Sequence, residues 1–399
     1  MPATSQRRRL PQCRWIALDI AAATTPEIWL PSLVDIDAVV NSAGVLQDSF
    51  RDSVKGVHED GAKALFAASQ QAGVRRVIQI SAIGVDRKTP TRFTATKLSA
   101  DNALMKRNLD WIILRPSVVV GRAAFGGSAL IRGLAALPVL PVLPETGPLQ
   151  IVQLGDLVKV VLYFLSPEAP SRLALDVAGP ERLSFVEVIR QYRRWLGSEE
   201  ARLWHAPPWL VAILYRLGDF AGWLGWRPPI RSTARREIAR GAVGDAGRWT
   251  RITGISPRSL SLALAVEPPS VQERWFAGLY LLKPLLFAML ALFWIATALI
   301  CLGPGYANGI ALMQEAGAGR LAAPAVIAGA LADLAIGVAI AFRPISRLGL
   351  YAAMAITIIY LILATALLPR LWLDPLGVLL KALPILVLHL VALGILEER

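Results

Sequence analysis

Two cysteines and three histidines in 399 residues leave the chain with almost no soft metal ligands. Cys13 and Cys301 lie far apart in unlike surroundings, and His58, His205 and His389 are scattered. This argues against a disulfide framework and against a metal site. Charge is scarce in one region only, since 12 of the 71 Asp, Glu, Lys and Arg residues follow Phe276. The opening run "MPATSQRRRL" is basic but leads into no apolar core, so it does not have the form of a secretory signal and the polar part is expected in the cytosol. Up to Trp275 there are 35 basic against 24 acidic residues, too dispersed to argue for nucleic acid. The surplus suits anionic lipid heads or a phosphorylated cofactor.

Apolar residues are in excess. They make up 55% of the chain, where roughly 45–50% is usual for a soluble protein, and the mean hydropathy is +0.50. Part of the chain is therefore expected in lipid. Four C-terminal apolar segments, about 276–302, 321–342, 347–368 and 375–396, are each near the roughly 20 residues that span a bilayer as a helix. They predict an all-α four-helix transmembrane bundle. Arg274, Arg343 and Arg347 fall at one set of ends, while the opposite links carry only Arg320 and Arg370, so the positive-inside bias predicts both termini in the cytoplasm. Asp333 is the residue a membrane helix has least reason to contain. By helical rise His389 matches its depth better than Lys381 does. A neutral or hydrogen-bonded structural pair and a proton or quinone site are both open readings of Asp333.

Before the apolar tail, strand and helix signals alternate. "RWIALDI" and "DAVVNSAG" read as strands, Val57 to Ala72 as a helix, and "VRRVIQISAIG" as a strand. A helix from about Lys97 to Arg107, the strand "DWIILRPSVVVG" and a helix from about Asp156 to Leu165 follow. Near-continuous apolar strands alternating with helices predict an α/β domain with a parallel, doubly wound sheet. "LPVLPVLPETGP" reads as a loop. The Trp-rich stretch from Trp204 to Trp226, broken by Arg216 and Asp219, suits a helix lying in a membrane interface, with a buried core helix as the other reading. The expected division is residues 1–200, 201–270 as a substrate or interfacial region, and 276–399.

In order and spacing, "DAVVNSAGV", "GAKALFAASQQAGVRRVIQISAIGV", "FTATKLSADNAL", "LDWIILRPSVVVG" and "GDLVKVVLYFL" resemble the atypical or extended short-chain dehydrogenase family, including its NmrA-like members. The tail, with "RWFAGLYLLKPLLFAML" and "LPRLWLDPLGVLLKALP", resembles the DoxX-like membrane family. The combination resembles bacterial dehydrogenase-like proteins with a DoxX-like C-terminus. This implies a Rossmann-like domain binding NAD or NADP on the cytoplasmic side of the bacterial inner membrane, with the lipid bilayer and a lipophilic small molecule as partners.

Two departures qualify that resemblance. The family opens with a strand, a Gly-rich turn and a helix, which let the backbone approach the cofactor pyrophosphate. This sequence starts just before the family's third strand, which makes the Rossmann-like sheet N-terminally truncated, and the expectation is a longer reading frame upstream. "GAVGDAG", with Gly241, Gly244 and Gly247 at the family spacing, follows a helix-like stretch and reads as a chance match in a loop. The second departure is "TRFTATK", where Phe93 stands at the position of the family's proton-donating tyrosine.

The resemblance implies further site residues. Ser81 matches the serine that holds a substrate carbonyl, and Lys97 the lysine that holds the nicotinamide ribose. Asp19 matches the residue beside the adenine, Asn41, Ala43 and Gly44 the turn beside the cofactor, and Pro116 and Val118 the segment along the nicotinamide. The plainer readings are a strand-end hydroxyl for Ser81, an exposed early-helix residue for Lys97 and strand-end turns for the others. Arg7 to Arg9 would lie where arginines take the extra phosphate of NADP, or form a solvated basic terminus. Three functions are compatible with these residues: a membrane-anchored NAD(P)-dependent oxidoreductase acting on a lipophilic carbonyl or quinone, a non-catalytic nucleotide-binding module, and an assembly partner working through its DoxX-like bundle.

Overall fold

The computed structural model describes residues 10–49, 52–87 and 90–396. The chain forms two compact units, one of Met1–Trp223 with Arg227–Gly278 and one of Leu224–Trp226 with Leu279–Arg399.

The first unit is built on four parallel strands. They are β1 (Ala38–Asn41), β2 (Arg76–Ile80), β3 (Asp110–Pro116) and, after two short strands β4 (Val118–Val120) and β5 (Val139–Val142) and a third, β6 (Ile151–Gln153), the strand β7 (Leu173–Val177). Their order across the sheet is β1-β2-β3-β7. Val77 and Ile78 are adjacent in β2 and point to opposite faces, and both are fully buried. On one face Val77 and Ile113 meet Phe66 of helix α1 (Gly61–Gln71) and Leu104 of α2 (Arg92–Met105). On the other, Ile78, Ile112 and Leu114 meet Val160 and Phe164 of α4 (Leu154–Leu165) together with Trp249. Helices on both faces of a parallel sheet make this a Rossmann-like, doubly wound α/β domain.

Between β4 and β5 runs α3 (Gly126–Ala135). After β7 come α5 (Phe185–Trp195), β8 (Arg202–His205), α6 (Pro208–Trp223), α7 (Ser232–Arg240) and α8 (Ala246–Thr253), then α9 (Leu260–Val266) and α10 (Val271–Tyr280). Strand β5 pairs in parallel with β8, so the Pro-rich stretch expected as a loop contributes a strand from Val139 to Val142. Pro141 is tolerated there because the pair is two-stranded and Pro sits at an edge. Thr91 begins α2 with a reciprocal cap: its Oγ1 accepts from Thr94 N–H at 3.2 Å and its own N–H donates to Thr94 Oγ1 at 2.9 Å.

The strand expected at "RWIALDI" does not form. Residues 14–19 have no ladder partner, and a strand without a neighbour cannot satisfy its backbone groups. Among the described residues nothing pairs with the outer edge of β1, where Val40 is 40% exposed.

The second unit is all helical: α11 (Leu282–Leu302), α12 (Tyr306–Glu315), α13 (Ala322–Ala341), α14 (Ser346–Leu367) and α15 (Ala382–Ile395). Among the described residues three helices, Leu282–Leu302, Gly319–Ala341 with its short leading turn, and Ser346–Leu367, are long and apolar enough to cross a membrane. Phe287, Trp294, Ile336, Ile340, Leu350 and Ala392 form its core. Gly337 brings α13 against α11, since a Cβ there would lie 2.9 Å from Ile295 N. The fourth expected span is shortened to the 14 residues Ala382–Ile395. Pro384 offers no N–H to the carbonyl one turn earlier, and Gly377 takes φ +63, so residues 375–381 form turns.

His389 is not the partner of Asp333. His389 Nε2 accepts from Trp294 Nε1 at 3.0 Å and its Nδ1 bonds Ile385 O at 2.7 Å, whereas Asp333 Oδ1 accepts from Tyr360 Oη at 3.4 Å. Depth along a helix says nothing about which face a side chain occupies.

Candidate functional site

Parallel strands carry their ligand crevice at their carboxyl ends, and Asn41, Ser81, Pro116 and Val118 lie there. Asn41 closes β1, Ser81 follows β2, and Pro116 closes β3 with Val118 just beyond. The register fixes their proximity, with Asn41 opposite Gln79 and Ile80 opposite Leu114. Asn41 Nδ2 donates to Gln79 Oε1 at 2.7 Å, which aims its Oδ1 at the turn, where it accepts from Ala43 N–H at 3.2 Å. Ser117 N–H, between Pro116 and Val118, donates to Val177 O at 3.0 Å and ties β3 to β7.

Lys97 sits in the second turn of α2 and is only 5% exposed. Its Nζ donates to Ile80 O at 3.0 Å. A Cβ on Gly44 would lie 3.8 Å from both Lys97 Nζ and His58 Nε2, so the turn after β1 faces this pair. Burial pushes the Lys97 ammonium down to about 8, against the favourable pull of Asp101. The Phe93 ring is half-buried one turn earlier, with its centroid 5.7 Å from Lys97 Nζ and 5.4 Å from the His58 ring, which meets it edge-on.

His58 and Asp101 are the residues the sequence reading missed. His58 Nε2 accepts from Val45 N–H at 2.9 Å, so the proton lies on Nδ1, 3.2 Å from Thr96 Oγ1. Burial, with the nearby Lys97 ammonium, pushes its pKa down to about 3. Asp101 is fully buried one helical turn beyond Lys97. Its Oδ2 accepts from Ser81 Oγ at 2.8 Å and from Arg115 Nε at 3.4 Å, and burial pushes its pKa up to about 6. The Lys97–Asp101 spacing was visible as an i, i+4 pair. His58 carried no sequence signal, because only the fold brings it to α2.

The Ser81 hydroxyl is thus donated to Asp101 within the protein. Asp19 is exposed and its Oδ1 caps Ala21 N–H at 3.0 Å, in the segment that forms no strand. Arg7 to Arg9 lie outside the described residues.

These groups fit one half of a dinucleotide. A buried ammonium, a small-residue turn at Gly44 and the strand end at Pro116 suit a ribose and a nicotinamide. Before β1 the described residues form only the short helical turns Pro26–Trp29 and Leu30–Ser32, with no preceding strand or Gly-rich turn, so none of them forms a pyrophosphate cradle. The glycines at 241, 244 and 247 do not replace it. Their N–H groups already donate to Ile238 O, Gln150 Oε1 and Asp245 Oδ1, at 3.2, 2.7 and 2.9 Å.

Comparison with known proteins agrees with both units. Residues 13–130 match an NAD(P)H-binding family and residues 291–390 the DoxX-like family. A ceramide reductase of Caulobacter vibrioides is 20% identical over 190 residues, 46% of this chain and 59% of that protein. The photosystem II assembly factor Ycf39 of Synechocystis is 23% identical over 210 residues, 50% of this chain and 59% of that protein. The chain therefore spans 59% of the length of each of these curated relatives. Among solved structures, MoeE5 in complex with UDP-glucuronic acid and NAD is 18% identical, with 64% of this chain and 84% of that chain covered at a TM-score of 0.47. Bordetella bronchiseptica WbmG in complex with NAD is 16% identical, with 63% and 76% covered at 0.46. The chain carries an NAD(P)-binding domain followed by a DoxX-like domain, and its three helices long and apolar enough to cross a membrane fit a membrane protein.

Proposed function

We propose that this membrane protein is an NAD(P)H-dependent reductase of a lipophilic acceptor, quinone-like rather than a simple ketone. The observation that carries the reading is Lys97, a buried ammonium at the carboxyl edge of the sheet with Phe93 where an acid would stand. Bound NAD(P)H supplies a hydride to the acceptor, whose oxygen must then gain a proton. Lys97 would hold the ribose, with Asn41, Ala43 and Gly44 beside it and Pro116 and Val118 along the nicotinamide. Phe93 has no exchangeable proton, and the Ser81 hydroxyl is engaged by Asp101. A ketone needs a positioned acid at the moment of hydride transfer, whereas a quinone-like acceptor yields a stabilised oxyanion that takes its proton from water. The relative named a ceramide reductase supports a lipid-soluble substrate.

In this reading residues 1–200 bind the nucleotide, 201–270 supply the substrate side and 276–399 anchor the chain in a bacterial inner membrane, with both termini cytoplasmic. A second reading is a nucleotide-binding assembly or regulatory module. It is favoured by the loss of the acid at Phe93 and by the relative named an assembly factor.

The test uses the full chain in lipid nanodiscs with NADH or NADPH and either a short-tailed quinone or a long-chain ketone. Loss of NAD(P)H absorbance is expected with the quinone and little with the ketone. Bound but unoxidised NAD(P)H with both acceptors would overturn the reductase reading in favour of the second.

A further inference from the structure

Helix α6 turns an apolar face outward. Its inner face is Val211, Tyr215, Gly218 and Gly222, all buried. Its outer face carries Trp209, Ile213, Leu217, Phe220 and Trp223, between 45% and 71% exposed. These five recur at helical spacing along all four turns, so they form one stripe rather than scattered exposures. The helix cannot roll to hide them. A Cβ at Gly218 would fall 1.6 Å from Ile230 O, so only glycine fits there and the inner face is fixed. Arg216 lies within the stripe, and Asp219 at its rim is held by Arg231 Nε at 3.4 Å and Ser232 N–H at 3.2 Å.

We propose that α6 lies in the headgroup–acyl boundary of the bilayer that the second unit spans, with this stripe in the lipid. Three observations favour lipid over a protein partner. First, α6 ends one peptide bond before Leu224–Trp226, which belongs to the second unit. There Leu224 O accepts from Arg343 N–H at 3.0 Å and Trp226 Nε1 donates to Ala341 O at 2.7 Å, at the end of a membrane span. Second, tryptophan stands at both ends of the stripe, and its amphipathic ring prefers that boundary. Third, Arg216, exposed within the stripe in a region with more basic than acidic residues, complements anionic headgroups. The helix would then form a wall of the first unit in direct contact with lipid.

The experiment places a nitroxide on Ile213→Cys, Leu217→Cys or Phe220→Cys in the full chain with Cys13→Ser and Cys301→Ser, reconstituted in nanodiscs containing phosphatidylglycerol. Arg190→Cys on α5, an exposed position on a polar helix, is the reference. All three stripe side chains are already exposed, so the labels leave the packed face intact. Collision with oxygen should exceed collision with a water-soluble nickel chelate at the three stripe positions, and the order should reverse at Arg190. Nickel-chelate accessibility equal to that at Arg190 would put the stripe in water. Low accessibility to both probes would put a protein partner or a second copy over it. Either result overturns the proposal.

Discussion

In the proposed reading, Phe93 stands where a proton-donating tyrosine is expected beside Lys97, so cofactor binding and proton donation are separated. Its ring packs against His58 and near Lys97 but carries no exchangeable proton. Phe93→Tyr should leave NAD(P)H affinity nearly unchanged and raise reduction of a long-chain ketone by about 10²–10⁴-fold, the usual worth of a positioned acid. Steady-state assays on both forms check this, and robust ketone turnover by the native chain would show that another group supplies the proton. His58 gives a pH prediction. Its folded pKa, about 3, lies below the ordinary value of about 6.5. The unfolded chain takes the proton first as pH falls. The stability His58 contributes is therefore complete above about pH 6.5 and is lost towards pH 3, at up to about 1.4 kcal/mol per pH unit. Asp101, raised to about 6, acts in the opposite sense: its contribution is present at low pH and fades as pH rises through 6. Comparison with His58→Gln isolates the histidine. The native unfolding midpoint should fall more steeply than the variant's between pH 6 and pH 4, and parallel curves would contradict the assignment. The motif positions Ser81 and Lys97 were legible because their spacing is local, whereas the bonds that define them, to Asp101 and Ile80, depended on how α2 crosses the strand ends.

At the scale of elements, the sheet was legible wherever a strand has partners. "VRRVIQIS" and "DWIILRP" read as strands and formed β2 and β3, because buried parallel strands are apolar throughout. "RWIALDI" has the same composition yet stays outside the sheet, since pairing depends on a neighbour that composition does not report. The membrane helices were legible as apolar runs, and the boundary of the last one failed at Pro384 and Gly377. Within α13, Asp333 is buried beside Tyr360. A structural, protonated carboxyl there predicts that Asp333→Asn inserts and folds like the native chain, because the amide retains shape and hydrogen bonding without charge. Yield and monodispersity in detergent check this. Loss of NAD(P)H oxidation in a variant that still folds would assign Asp333 to proton transfer instead.

At the scale of the whole molecule, topology turns on α15. Its 14 helical residues rise roughly 21 Å, short of the roughly 30 Å hydrocarbon core, so its crossing depends on the turns at 375–381. The arginine distribution predicts that it does cross, and reporter fusions after Glu315 and after Arg399 should then give opposite signals. Equal signals would leave three crossings and place the C-terminus outside. The central claim is that the buried ammonium at the sheet edge holds a nicotinamide dinucleotide. It is tested most directly by titrating the full chain in nanodiscs with NADH and NADPH, reading nicotinamide fluorescence, for the native protein and Lys97→Ala side by side. The account predicts saturable binding by the native chain, weakened roughly 10- to 100-fold by the substitution, as expected for loss of a charge-assisted hydrogen bond worth about 1.5–3 kcal/mol. Equal affinity in the two proteins, or no saturation by the native one, would contradict it.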